Sequence, residues 1–105
     1  MAIRVNIAGS AEVPVGKAIV VQAGGRRLAL CRPSESEWYA IDDMCTHDGG
    51  PLGEGELLGY EIECPRHGAH FDVRTGEALT LPATRPVNTY KVHVEGNQVF
   101  VELPE

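Results

Sequence analysis

The sequence predicts an all-β fold, an antiparallel β-sandwich or barrel, in a single domain that spans residues 1–105. Short segments rich in β-branched and aromatic residues alternate with Gly- and Pro-containing turn signals along the chain. No segment carries the apolar stripe, repeated about every 3.6 residues, that is typical of an amphipathic helix. The length is that of one domain, and a hydrophobic fraction of 43% is typical of a globular protein.

Four strands are predicted in the first half of the chain, at residues 3–7, 18–22, 27–31 and 37–41. The first strand alternates apolar and polar side chains with the period of two that a half-buried strand requires. Gly24 and Gly25 supply the positive φ values of a tight hairpin turn, so they predict that the second and third strands pair. The fourth strand contains Trp38 and Tyr39, which are expected to be core residues.

Five short strands are predicted in the second half, at residues 60–63, 71–73, 78–79, 90–94 and 99–103. The first of these alternates and leads directly to Cys64. Asp72 is expected to cap the turn at 74–77 that joins the next two, because Asp bonds nearby backbone N–H groups. A turn at 95–98 closes the last two strands into a hairpin.

The strongest functional signal is a pair of short motifs, Cys45-Thr46-His47 and Cys64-Pro65-Arg66-His67. Two thiolates and two imidazoles form a complete set of four ligands, which suits an iron–sulfur cluster or zinc. Zinc sites usually place like ligands near one another, whereas each motif here mixes the two types. A 2Fe–2S centre in which two His replace two Cys on one iron needs two ligands of each type. A zinc-binding module stays open as an alternative.

The pattern C-x-H, sixteen residues, C-x-x-H resembles the Rieske iron–sulfur family. The resemblance implies one 2Fe–2S cluster, with Cys45 and Cys64 on one iron and His47 and His67 on the outer iron. It also implies a Rieske-like fold, in which a small cluster-binding subdomain of two loops, at about residues 43–72, is inserted into a larger antiparallel β base. The proline-bearing segment 82–86 is similar to the family's third loop, which covers the cluster.

Glycines crowd the segment between the two motifs, at Gly49, Gly50, Gly53, Gly55 and Gly59. This density predicts a loop whose backbone is held close to something bulky, since Gly permits close approach and unusual φ. A flexible turn region is the alternative.

The resemblance also favours a low reduction potential. High-potential members of the family carry an extra Cys in each loop, joined as a disulfide, and the aligned positions here are Gly50 and Arg66. They also place a Ser and a Tyr hydroxyl against sulfur, where this chain has Ala69 and Phe71. Fewer hydrogen bonds to sulfur stabilise the oxidised form. This difference counts against a quinol-oxidising role.

Charge is distributed unevenly. The formal net charge is −6, and the segment between Pro33 and Pro65 has nine acids and no Lys or Arg. An acidic surface near the metal loops would steer a basic partner, and a solvated surface with no docking role is the alternative. Nucleic acid is excluded as a partner, because no basic stripe is present to neutralise phosphates. The nine acids are Glu35, Glu37, Asp42, Asp43, Asp48, Glu54, Glu56, Glu61 and Glu63.

The sequence also predicts the cellular location of the protein and the roles of the remaining cysteine and histidines. Residues 1–7 lack the apolar core of a signal peptide, and no apolar run reaches the length of a membrane span, so we expect a cytoplasmic protein. Cys31 is expected to be a small buried side chain rather than part of a disulfide framework. His70 is expected near the cluster or on the surface but not as a ligand, and His93 is expected to be structural.

These observations predict a low-potential Rieske-type ferredoxin, a monomeric electron carrier rather than an enzyme, with no catalytic residues. The resemblance implies that it takes single electrons from a flavoprotein reductase that uses a nicotinamide cofactor. It would pass them, in transient and electrostatically guided complexes, to the terminal non-haem iron oxygenase of an aromatic-ring dioxygenase system. The alternative is the small Rieske-like subunit of an assimilatory NADH-dependent nitrite reductase.

Overall fold

A computed structural model describes residues 2–44, 52–65, 68–81 and 83–104. Within these ranges the chain forms ten strands and two short 3-10 turns, so the all-β prediction is confirmed. The 3-10 turns are Ser10–Glu12 and Leu52–Glu54. The strands are β1 (Ala2–Gly9), β2 (Lys17–Ala23), β3 (Arg26–Ser34), β4 (Glu37–Asp42), β5 (Leu57–Leu58), β6 (Glu61–Glu63), β7 (His70–Asp72), β8 (Thr89–Tyr90), β9 (Val92–Glu95) and β10 (Gln98–Pro104).

The strands form three antiparallel sheets. The first has the order β1-β10-β9, the second β2-β3-β4-β8 and the third β5-β6-β7. Gly24 and Gly25 connect β2 to β3 with φ values of 56° and 81°, which confirms the predicted hairpin turn. Most pairs therefore join strands that are neighbours in sequence, whereas β1 pairs with β10 and β4 pairs with β8 across longer stretches of the chain.

The second sheet is the middle layer, and β3 is buried on both of its faces. Leu28 and Leu30 point to a core shared with the first sheet, whereas Ala29 and Cys31 point to a core shared with the third sheet. A strand that is covered on both faces has a continuous run of apolar residues in its sequence, as residues 28–31 do. Cys31 is fully buried on β3, as predicted, and burial raises the pKa of its thiol to about 12.

The core between the second and third sheets supports the predicted metal loops. Ile41 from β4, Ile62 from β6 and Phe71 from β7 are fully buried in it, together with Cys64 and Ala69. Burying side chains as large as Phe71 contributes about 2–3 kcal/mol each. The third sheet is thus attached to the base by apolar packing, and it brings Cys64 to the edge of a rigid core.

The predicted final hairpin begins too early. Tyr90 belongs to β8 and pairs with Ala40 in the second sheet, whereas the hairpin strand β9 begins at Val92 in the first sheet. The Tyr90 hydroxyl donates to Asp42 Oδ1 at 2.5 Å, and this bond holds β8 against β4. The alternation of residues 90–94 concealed this change of sheet, because Tyr90 and Val92, on either side of it, are both partly buried against the same core.

Two further details differ from the prediction. The expected strand at residues 78–79 is an isolated bridge between Ala78 and Phe71, because only this short stretch lies beside β7. Strand β5 was not predicted, since it lies in the glycine-rich segment that indicated a loop. The predicted cap is confirmed: Asp72 Oδ1 accepts the Arg74 N–H at 2.8 Å.

In the part of the chain that the structure describes, none of the helices has the length and apolarity needed to cross a membrane.

Candidate metal centre

Of the four predicted ligands, the structure describes Cys64. Cys45, His47 and His67 lie outside the described residues, as do Gly50 and Arg66. Cys64 follows directly after β6 and is fully buried. Its N–H donates to the carbonyl of Ala69 at 2.7 Å, and its own carbonyl accepts the N–H of Gly68 at 2.9 Å.

These two bonds place Cys64 at the start of the connection between β6 and β7, and Gly68 and Ala69 at its end. Glu63 pairs with His70 in the ladder, and the Cys64–Ala69 bond extends the pairing by one step. Gly68 has φ of 74°, which is why a residue without a side chain closes the loop. The backbone of Cys64 is therefore held rigidly at one end of this short loop.

The first motif lies between two anchored residues. Asp43, immediately after β4, is buried, and its Oδ1 accepts the N–H of Gly53 at 2.6 Å. The N–H of Asp43 donates to the carbonyl of Arg27 at 3.1 Å. Asp43 Oδ2 lies 3.0 Å from Arg27 Nη2, an ion pair whose angle falls short of a hydrogen bond. The two ends of the segment that contains Cys45 are thus bonded to each other.

The predicted close approach of the glycine-rich backbone is confirmed at two positions. A Cβ atom on Gly55 would lie 1.8 Å from the carbonyl oxygen of Glu63, and one on Gly53 would lie 2.6 Å from Val20 Cγ2. Both distances are far inside van der Waals contact, so neither position accepts a side chain without a shift of its neighbours. Gly53 and Gly55 allow the chain after the first motif to lie directly against β2 and against the residue before Cys64.

Ala69 and Phe71, the positions aligned with hydroxyl donors in high-potential relatives, are both fully buried. Neither side chain has a hydrogen-bond donor. The backbone carbonyl of Ala69 is already engaged by the N–H of Cys64. This part of the predicted site is therefore apolar.

His70 lies on the outer face of the third sheet between two carboxylates. Its Nδ1 is 3.0 Å from Glu61 Oε1 and its Nε2 is 3.3 Å from Glu63 Oε2. Both ring nitrogens are thus occupied by contacts within the sheet, and the expectation that His70 is not a ligand stays a prediction. His93 is structural as expected, since its Nε2 lies 2.6 Å from Glu102 Oε2.

A polar contact connects the third sheet to the second sheet. The hydroxyl of Tyr60 donates to Glu37 on β4 at 2.7 Å, and Ser34 donates to the same carboxylate at 2.8 Å. The bond from Tyr60 is the main cause that lowers the pKa of Glu37, and it raises the pKa of Tyr60. The Arg74 guanidinium stacks over the Tyr60 ring at 4.2 Å. Sequence reasoning missed this contact, because residues 37 and 60 meet only in the folded chain.

Only some of the acidic side chains between Pro33 and Pro65 lie on the surface. Asp43 is buried, so counting it among surface acids was wrong; its position two residues before Cys45 was the signal that could have identified it. Glu37 and Asp42 are bonded to tyrosines. Among the described residues of this segment, the exposed acids are Glu35, Glu54, Glu56 and Glu61. A docking role for them stays a prediction.

The family follows from comparison with known proteins. A family profile described as "Rieske [2Fe-2S] domain" matches residues 4–91. The chain belongs to the Rieske family. Its cofactor is one Rieske-type 2Fe–2S cluster, which decides against the zinc-binding alternative. The described residues fit this group, since Cys64 offers a thiol in a rigid hairpin loop beside an apolar core.

Known Rieske proteins cover nearly the whole chain. The ferredoxin component of the naphthalene 1,2-dioxygenase system from Pseudomonas aeruginosa is 45% identical over 92 residues, which are 88% of each chain. The ferredoxin of carbazole 1,9a-dioxygenase from Nocardioides aromaticivorans has a TM-score of 0.90 at 33% identity, with 97% of this chain and 98% of that chain covered. A chain in the complex of reduced oxygenase and oxidized ferredoxin in carbazole 1,9a-dioxygenase has a TM-score of 0.87 at 35% identity and covers 94% of this chain and 92% of its own.

The alternative function, the small subunit of a nitrite reductase, also has a structural neighbour. The structure described as the small subunit of a nitrite reductase has a TM-score of 0.79 at 23% identity, and the match covers 94% of this chain and 97% of that chain. At this identity the likeness shows the Rieske fold alone.

Proposed function

We propose that this Rieske protein is the ferredoxin component of an aromatic-ring-hydroxylating dioxygenase system. The observation that carries the proposal is the 45% identity, over 88% of the chain, to a protein with that role in naphthalene oxidation. Relatives of this kind are electron-transfer components, so the chain is a carrier and not a catalyst. When bound, the cluster supplies the uptake and release of one electron.

The ligands of the cluster are Cys45 and Cys64 on one iron and His47 and His67 on the other. The buried thiol of Cys64 and the hydrogen-bonded loop behind it support this set. The anchored ends of the first loop support it too, because Asp43 and Gly53 fix where the segment with Cys45 leaves and rejoins the core. Residues 43–72 then form the cluster-binding subdomain of a single domain.

The partners are a flavoprotein reductase that donates electrons and a terminal oxygenase that accepts them. The neighbouring structure of an oxygenase bound to a ferredoxin supports the second partner. The exposed carboxylates of the acidic segment support transient docking that is guided by charge, since such fields speed encounter without a large interface. Substrate specificity belongs to the oxygenase. Cytoplasmic location and a monomeric state stay predictions of the sequence.

A low reduction potential fits the described surroundings of Cys64. Ala69 and Phe71 provide no hydroxyl donors to sulfur, and carboxylates such as Glu63 stand beside the second loop. Both features stabilise the oxidised state, in which the cluster has one negative charge fewer. The potential is therefore expected in the lower part of the Rieske range, which is roughly −150 to +300 mV.

Reconstitution of electron flow tests the function. The purified ferredoxin is mixed with NADH and with the reductase and oxygenase components of a naphthalene dioxygenase system, and oxidation of naphthalene is measured. Product that depends on the ferredoxin supports the proposal, and His67→Ala serves as the cluster-defective control. A stable complex with a nitrite reductase large subunit, with no transfer to any oxygenase, would favour the runner-up.

A further inference from the structure

Asp43 is the one charged residue in the described ranges that is buried, and the exposed fraction of its side chain is 0%. A carboxylate removed from water is costly unless it is paired and hydrogen-bonded, so its position demands specific partners. It stands two residues before the proposed ligand Cys45. The cost of burial would be unexplained if Asp43 only ended a strand.

The partners of Asp43 come from both sides of the first loop. The carboxylate accepts the N–H of Gly53 at 2.6 Å, and this bond bridges the two ends of residues 44–52. The N–H of Asp43 donates to the carbonyl of Arg27 on β3, and the Arg27 guanidinium lies 3.0 Å from Oδ2. One side chain therefore joins the residue before the loop, the residue after it and the central strand of the base.

Close packing fixes the geometry of this junction. A Cβ on Gly53 would lie 3.0 Å from Asp43 Oδ1 as well as 2.6 Å from Val20 Cγ2. Leu52, the preceding residue, is fully buried in the core beside β3. The N–H of Gly53 reaches the carboxylate because no side chain intervenes, and Leu52 prevents this end of the loop from lifting away.

We propose that Asp43 is a positioning residue for the metal centre. By bonding to Gly53 it fixes where the segment that contains Cys45 and His47 leaves the core and where it rejoins it. A loop with fixed ends loses less conformational entropy when its ligands bind. Partners that orient metal ligands typically change metal retention by about tenfold to a hundredfold. This inference rests on the proposed ligand set.

The test compares Asp43→Ala, Asp43→Asn and Arg27→Gln with the native protein. The measurements are the rate at which an iron chelator bleaches the cluster and the electron paramagnetic resonance line widths of the reduced protein. Asp43→Ala should release iron at least about tenfold faster and broaden the signal, because the ligands then adopt several arrangements. Asp43→Asn should show a smaller increase, since an amide oxygen can still accept from Gly53. Arg27→Gln leaves the Gly53 bond intact but removes the charge paired with the buried carboxylate, so its rate of iron release should lie between those of the native protein and Asp43→Ala.

A control separates positioning from general loss of stability. Val101→Ala removes buried methyl groups from the core shared by the first and second sheets, away from both loops. If Val101→Ala and Asp43→Ala lose the same unfolding free energy, Val101→Ala should still release iron at a rate close to that of the native protein. Equal rates in Val101→Ala and Asp43→Ala, or a native rate in Asp43→Ala, would overturn the positioning role.

Two other outcomes are informative. If Asp43→Ala does not accumulate as folded protein, Asp43→Leu, which also lacks an acceptor for the Gly53 N–H, takes its place: faster release than Val101→Ala supports the proposal, and a native rate overturns it. Native protein that binds neither iron nor sulfide would overturn the ligand set and this proposal together. Native protein with a stable cluster, combined with unaffected Asp43 variants, would overturn the positioning role alone.

Discussion

The hydroxyl of Tyr60 donates to the carboxylate of Glu37 at 2.7 Å, and this bond joins the third sheet to β4 of the base. Tyr39 contributes a perpendicular ring contact to Tyr60, with 6.2 Å between ring centroids. This polar contact and the apolar core beneath it together determine how the third sheet sits on the base.

The Glu37 contact predicts a specific loss of stability in acid. Hydrogen bonding by Tyr60 lowers the pKa of Glu37 below its ordinary value of 4.5. The unfolded state therefore binds the proton first, so the contribution of Glu37 is complete above the unfolded pKa and is lost as pH falls through the folded pKa. The difference in unfolding free energy between native protein and Glu37→Gln should be constant at neutral pH and shrink below about pH 4.5.

Urea denaturation at several pH values checks this expectation. Glu35→Gln, which removes the charge of an exposed neighbouring carboxylate, is the matched control for the loss of one negative charge. A difference between native protein and Glu37→Gln that stays constant into acid would show that the Tyr60 bond contributes nothing.

Gly55 should tolerate no side chain. In Gly55→Ala the new Cβ would overlap the carbonyl oxygen of Glu63, so the chain must separate from β6 beside Cys64. We expect a loss of about 4 kcal/mol or more in unfolding free energy and a failure to retain iron. Chemical denaturation and iron analysis measure both effects.

Gly59→Ala is the control for Gly55. Gly59 has φ of 64° but open space around its Cβ direction, so substitution introduces backbone strain without a clash. The expected cost is about 1–2 kcal/mol, with the cluster retained. Similar behaviour of the two variants would mean that the contact with Glu63 is not the constraint.

The apolar surroundings of Cys64 predict that a new hydroxyl raises the reduction potential. Ala69→Ser places a donor next to the hairpin loop that carries Cys64. A hydrogen bond worth about 1 kcal/mol more in the reduced state corresponds to a shift of about +40 mV for one electron. Potentiometric titration of both proteins gives the answer, and Ala78→Ser, on the segment that flanks β7, serves as the comparison. An unchanged or lower potential in Ala69→Ser would count against the role of missing donors.

Docking guided by the acidic segment predicts strong salt dependence. Raising ionic strength from about 0.01 M to about 1 M shortens the Debye length from about 30 Å to about 3 Å, so reduction by the flavoprotein should slow by on the order of tenfold or more. Stopped-flow kinetics measures the rate constant. Glu61→Gln should lower the rate at low salt, whereas Glu95→Gln, on β9 of the first sheet, should not. A flat salt profile would leave these acids with a role in solubility only.

The sequence predicted most strands because each carries local alternation, and it predicted the β2–β3 turn because Gly24 and Gly25 require positive φ. It did not predict that the chain changes sheets at Tyr90, since that depends on a hydroxyl bond to Asp42, distant in sequence. It also missed the burial of Asp43, because charge patterning alone assigns carboxylates to the surface. Contacts between separated residues, rather than propensity, determine these features.

The candidate site likewise has one part that the sequence suggests and another part that depends on contacts in the folded chain. The spacing of the two motifs is a local pattern in the chain, so the sequence alone proposes the four ligands, and this assignment stays a prediction. Their supports could not be predicted, because Asp43 meets Gly53 and Arg27 only after β3 and β4 have paired. The glycine-rich segment indicated close approach, and the structure added the partners at Gly53 and Gly55.

Electron paramagnetic resonance of the reduced protein, recorded beside iron and acid-labile sulfide analysis, tests the central claim most directly. The native chain should contain two irons and two sulfides, and its spectrum should show the low average g value of a centre with mixed Cys and His ligands. In His67→Cys that signal should change or vanish. Native protein that is colourless and carries one zinc, or a spectrum that His67→Cys leaves unaltered, would contradict the assignment of Cys45, His47, Cys64 and His67.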